Sequence, residues 1–197
     1  MRPDVPRHLR HRPTWHGLAV PYINCWGDEV DDGRWRLLPD ANLQRELAWW
    51  TAAWPEGQGR PTLGRQNLQR QREVVARTLC QVCAHQIGQR PRWFVIGADS
   101  TQNVANLEGA EGQRVALITE PWVCARCLPY VIAVCPGVRR MRDEGGALLR
   151  ATEWQVVGTK SWHEAYGRQI VAWSWIKVAP VKGELIEFAD FTKVLNG

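Results

Sequence analysis

Two Cys-x-x-Cys pairs, Cys80-Gln81-Val82-Cys83 and Cys124-Ala125-Arg126-Cys127, constrain this chain more than any other feature. Two residues between cysteines let both sulfurs turn to one side of a tight knuckle, each about 2.3 Å from a shared metal, and a second knuckle completes the tetrahedron. The spacing predicts one structural zinc ion held by Cys80, Cys83, Cys124 and Cys127. A thioredoxin-like redox pair is the competing reading, but it requires one pair opening a helix on a βαβ unit, whereas Cys80 follows a predicted helix. A disulfide framework fits poorly. Residues 1–8 contain no apolar leader with a small-residue cleavage site, and no apolar run reaches the length that spans a bilayer. The expectation is a cytoplasmic protein, away from membranes, whose thiols stay reduced and free to bind metal.

A chain of 197 residues accommodates one elaborated domain or two small ones, with enough apolar content for a core. Its 12 Trp against 3 Phe, 3 Tyr and 2 Met make Trp the large core filler. The alternative is that Trp49, Trp50 and Trp54 form a stacking surface or a protein-contact surface.

Periodicity and turn residues divide the chain into elements. Residues 18–26 read as a strand bent by Pro21, and 34–38 as a second strand able to pair with it. Asp40 is a candidate N-cap for a helix over 41–54, with Leu43, Leu47, Trp50 and Trp54 on one face and Pro55 ending it. Residues 56–64 read as Gly- and Pro-rich loop, and 65–79 as a helix that delivers the chain into Cys80. Strands at 92–97 and 114–119 are expected to form a hairpin around a polar loop at 99–113. A helix then starts within Cys124 to Cys127, runs apolar to Cys135, and is ended by Pro136-Gly137. The remainder is strand-rich, over 148–157, 169–178 and 184–188.

Knuckle, hairpin and ligand-bearing helix, in that order, match a treble clef. The fold class expected is therefore α+β: a treble-clef-like zinc module at 65–145, flanked by an antiparallel β-sheet and two or three helices. A basic flexible tail at 1–16 and a strand/helix region at 17–64 precede the module. C-terminal antiparallel strands at 146–197 pack on it.

The segments Arg72-Glu73-Val74-Val75-Ala76-Arg77-Thr78-Leu79-Cys80-Gln81-Val82-Cys83, Thr119-Glu120-Pro121-Trp122-Val123-Cys124-Ala125-Arg126-Cys127 and Ala133-Val134-Cys135-Pro136 carry a resemblance. So do Val20-Pro21-Tyr22-Ile23 and Cys25-Trp26. Over residues 18–140 the chain resembles a group of actinobacterial and actinophage zinc-finger-like proteins. The likeness implies a metal site and carries no activity with it. Treble clefs also form the core of HNH nucleases, but those need a His to activate water and further ligands for a divalent ion. Here His8, His11, His16, His85 and His163 form no such pair in the hairpin or the helix after it.

Charge points to nucleic acid. The formal net charge is +5, and Arg65, Arg70, Arg72, Arg139, Arg140 and Arg142 are the candidate phosphate contacts, for DNA or RNA. A competing explanation is that neighbouring arginines offset the −2 charge of a four-thiolate zinc centre. Two other readings stay open. An enzyme would use a polar site around His163 or Cys25, and a phage-like interaction or inhibitory module would use the Trp-rich surface to meet another protein. Cys135, two turns along the ligand-bearing helix, is an alternative fourth ligand.

Overall fold

The computed structural model describes the backbone of residues 4–27, 36–40, 46–50, 56–98, 118, 120–157, 160–163, 168–171 and 177–191, and the side chains of 4–27, 56–98, 118, 120–154 and 183–191. It is an α+β protein of two compact units, one formed by Val5–Gln86 with Val156–Lys177 and the other by Met1–Asp4, Ile87–Gln155 and Val178–Gly197. Three α-helices occur among the described residues, none of them long and apolar enough to cross a membrane.

In the unit built on Val5–Gln86, a 3-10 turn at Arg7–Leu9 leads into β1 (Thr14–Trp15) and β2 (Leu18–Ala19). The pairing Trp15↔Leu18 leaves a two-residue loop, His16-Gly17, with φ of 50° and 77°. Positive φ at both positions is the turn whose twist matches a hairpin, and Gly17 adopts it without a Cβ penalty. Leu9 is fully buried, and Arg12 is buried in an ion pair with Glu56. Residues 4–16 are thus packed segment and not a flexible tail.

β3 (Asn24–Trp26) pairs antiparallel with β6 (Pro61–Gln66), not with 34–38. Gly and Pro make 56–64 look like loop, and 65–66 read as the start of a helix, but Pro61 only opens the strand, where its missing N–H costs nothing. Register jumps between Asn24 and Cys25, and the Asn24 amide fills the gap by donating to the carbonyls of Leu63 (2.8 Å) and Arg65 (3.4 Å). Of the stretch 34–38, residues 36–38 are described, and they lie in β4 (Arg36–Asp40), antiparallel to β5 (Glu46–Trp50). The four-stranded sheet runs β4-β5-β10-β9, with β9 at Lys160–His163 and β10 at Arg168–Val171; β10 lies parallel to β5 and antiparallel to β9. A strand at 46–50 replaces part of the helix expected over 41–54. Helical spacing of apolar residues is a weak prior, and hydrogen bonding to strands on both sides overrides it.

Helix α1 (Leu68–Ala76) is capped by Asn67, whose side chain accepts from the Arg70 amide at 2.9 Å. It ends in a Schellman motif, with Leu79 N–H bonded to Val74 O (2.8 Å) and Thr78 N–H to Val75 O (3.3 Å). Val74 and Leu79 then pack with Ile23 in the core. The motif places Thr78 at φ 56°, a conformation that glycine adopts freely and a β-branched residue does not.

In the other unit, β7 (Arg92–Ile96) pairs antiparallel with β8 (Ala147–Val157), and the sheet order is β11-β8-β7 with β11 at Lys177–Ile186. The second half of the expected hairpin, 114–119, lies outside the described residues apart from Ile118. Trp93, Phe94, Trp122, Leu128, Leu148, Leu149 and Phe191 fill the core. Phe94 meets Trp122 edge-on at 6.2 Å, and Trp122 meets Trp154 at 5.1 Å. Buried Trp26, Trp93 and Trp122 act as large fillers, whereas the side chains of Trp49, Trp50 and Trp54 lie outside the described residues.

Helix α2 (Leu128–Val134) stops before Pro136, and α3 (Pro136–Asp143) starts there. Pro136 thus ends one helix, as expected, and also opens the next. Its ring excludes Cys135 from the helical region, leaving φ −78° and ψ 116°, while its own missing N–H is not needed in a first turn. A second Schellman motif ends α3, with Gly146 N–H on Met141 O and Gly145 at φ 84°. A Cβ on Gly146 would lie 2.5 Å from Ile96 O and 2.7 Å from Met141 O.

These two turns predict opposite responses in urea unfolding of the metal-loaded protein. Thr78→Gly should stabilise by about 1 kcal/mol, because relief of the left-handed strain exceeds the entropy that glycine adds to the unfolded chain. Gly146→Ala should destabilise by about 2 kcal/mol, because the added methyl has no space against two carbonyl oxygens.

Candidate metal centre

Each cysteine pair follows directly on a residue fixed by an isolated β-bridge. Leu79 bridges to Gln86 immediately before Cys80, and Val123 bridges to Trp93 immediately before Cys124. The Trp93–Val123 bridge has both of its hydrogen bonds, at 3.1 and 2.8 Å. Each pair therefore leaves an anchored backbone position.

The first knuckle closes on itself through Ala84 N–H on Cys80 O (2.9 Å) and Cys80 N–H on His85 O (2.8 Å). Ala84, the residue that turns the chain back, has φ 60°. The remaining carbonyls point outward to three partners. Ile23 N–H bonds Gln81 O (3.3 Å), Tyr22 N–H bonds Val82 O (3.2 Å), and the His11 ring donates through Nε2 to Cys83 O (2.9 Å). With the carbonyls outward, the Val82 N–H is directed to Cys80 Sγ at 3.4 Å. Such donors favour thiolate over thiol. In the second knuckle, Cys124 O accepts from Cys127 (3.0 Å) and Leu128 (3.2 Å), and α2 begins at Leu128, directly after the last ligand.

The four sulfur atoms lie within 4.8 Å of one another. Bonds of about 2.3 Å to a central ion define a tetrahedron with edges of about 3.8 Å, so small shifts seat a metal. Cys80, Cys83 and Cys127 are buried and Cys124 is partly exposed. None of the six cysteines forms a disulfide. Soft thiolate donors select ions such as zinc, copper(I) or iron over magnesium or calcium.

Cys135 is not in this group; it lies between α2 and α3, where its backbone joins the two helices. Cys25 is buried in β3, away from the group. His163 ends β9 opposite Arg168, and its side chain is outside the described residues.

The six candidate arginines separate by burial. Arg65, Arg139, Arg140 and Arg142 are exposed. Arg70 and Arg72 are only 7% and 2% exposed, which removes them from the phosphate-contacting set. Arg70 donates to Asn24 O at 2.6 Å and lies over the Tyr22 ring, and Arg72 donates to Leu68 O at 3.4 Å. Buried guanidinium groups in helix α1 are structural here.

Sequence reasoning missed His11, Tyr22 and Ile23 as supports of the knuckle. Only the requirement that buried carbonyls find donors would have called for such residues, and it does not say where in the chain they lie. Comparison with protein-family models, curated proteins and solved structures finds no match to any of them.

Elemental analysis of purified protein should find one tightly held ion per chain. Cys80→Ser, Cys83→Ser, Cys124→Ser and Cys127→Ser should each lose it, while Cys135→Ser and Cys25→Ser keep it. Acidification should release the ion, because protons compete for the thiolates.

Proposed function

We propose that the ion is zinc, that it is structural, and that the chain binds nucleic acid through exposed arginines on α3, the second helix after the last cysteine pair. Four protein donors fill the coordination sphere of zinc and leave no open position for substrate, which is the pattern of a structural site. On this reading the knuckle and α2 are two parts of a treble-clef-like module. Free thiols suit a reducing compartment such as the cytoplasm.

The single observation that carries the proposal is the exposure of α3. Among its residues Val138 alone is buried, while Arg139, Arg140 and Arg142 face solvent. Arg142 pairs with Asp143 at 2.8 Å, but Arg139 and Arg140 have no ion-pair partner among the described residues. Arg126, between the second pair of ligands, is exposed as well. Unpaired guanidinium groups on a helix with little else to offer solvent are suited to phosphate oxygens. The chain would then be a regulator or accessory factor for DNA or RNA.

Affinity for generic duplex DNA and RNA across a salt series tests this. Each phosphate contact contributes about 0.9 to the slope of log K against log salt, so Arg139→Ala, Arg140→Ala and Arg142→Ala together should flatten it by about 2 to 3. No binding at low salt, or an unchanged slope in the triple variant, rejects the proposal.

A further inference from the structure

The hydrogen bonds that position the first knuckle come from one stretch of chain. Gln81, Val82 and Cys83 each give their carbonyl to a donor within residues 11–23: Ile23 N–H, Tyr22 N–H and His11 Nε2–H. The carbonyl oxygen can only accept, so His11 carries its proton on Nε2. The same ring meets His85 edge-on at 4.9 Å, and the His85 carbonyl holds the Cys80 amide. His11 therefore braces the backbone at both ends of the knuckle.

Arg12, the next residue, brings charge. It is buried, donates from Nη1 to Glu56 Oε2 at 3.0 Å, and lies 5.2 Å from the centre of the Tyr22 ring. Burial works against its charge and so does neighbouring Arg70, while the fields of Tyr22, Cys83 and Cys80 work for it. Held against the ring of Tyr22, whose own N–H bonds Val82 O, this guanidinium would offset the excess negative charge of a four-thiolate divalent centre.

We infer that residues 11–23 form the outer coordination sphere of the Cys80–Cys83 half of the centre and set how fast its ion exchanges, with His11 and Arg12 as positioning residues. The inference rests on the metal reading of the four cysteines and is independent of nucleic-acid binding. Residues beyond the ligands that fix ligand orientation change metal affinity by about 10- to 100-fold when removed.

The test is release of zinc from the loaded full-length chain into excess chromogenic chelator, with urea unfolding followed in parallel. Arg12→Met should speed release by about tenfold or more, and Arg12→Lys, which keeps the charge, by clearly less. His11→Ala, at an exposed position, leaves the fold intact and should speed release by about threefold or more, so it decides the matter even where Arg12→Met fails to fold. A wild-type release rate in His11→Ala, or in a folded Arg12→Met, overturns the assignment, and equal rates for Arg12→Met and Arg12→Lys overturn the role of charge. A wild-type chain that holds no ion at all sinks the metal reading itself.

Discussion

Four sulfur atoms gathered within 4.8 Å, three of them on buried residues, set the terms for everything around them. As bare thiolates they would repel one another by about 4 kcal/mol per pair at 4 Å and an effective dielectric of 20. A divalent ion at the centre reverses that sign, and it requires donors held in place before it arrives. The chain supplies that rigidity by fixing the residue before each pair in a β-bridge, and by turning the first knuckle's carbonyls outward so that an amide faces sulfur. A knuckle whose carbonyls lacked donors would be free to rotate them inward, toward negative charge.

Arginine shows how one residue type serves opposite ends in this protein. Arg12, Arg70 and Arg72 are buried, and in each the guanidinium donates to a carbonyl oxygen: Val20, Asn24 and Leu68 respectively. Arg12 and Arg70 also flank the Tyr22 ring. Arg92 repeats the pattern in the other unit, stacked 3.5 Å from the centre of Trp154 and donating to Arg90 and Gly88 carbonyls. A planar, weakly hydrated cation with five donors is suited to such sites in a way that lysine is not. Arg139 and Arg140, two of the arginines of α3, are instead exposed to solvent. Basic composition alone therefore overstates the surface available to an anionic partner.

Local signals were read correctly where local physics decides the outcome. The helix before Cys80, the strand at 92–96, the apolar helix after Cys127 and the long strand from 147 all follow from periodicity and turn residues. The failures have a common cause. Residues 46–50 carry helical spacing yet form a strand, 61–64 read as loop and 65–66 as helix yet form β6, and Pro136, which ends one helix as expected, also opens the next. In each case hydrogen-bond partners remote in sequence, or the two-sided effect of a proline, outweighed a small local preference.

The sequence by itself marked the four cysteines, because a two-residue spacing turns the sulfurs of each pair to one side, and thiolate chemistry limits which ions they could hold; the fold brought the two pairs together. The sequence determined too that Trp would fill the described core, since little else of that size was present. Only the tertiary structure decided which arginines meet solvent, that Cys135 stays outside the sulfur group, and that His11 and Tyr22 support Cys80 and Cys83. Those outcomes depend on which buried carbonyls lack a neighbour along the chain, and a buried acceptor is satisfied by whichever donor the fold brings to it.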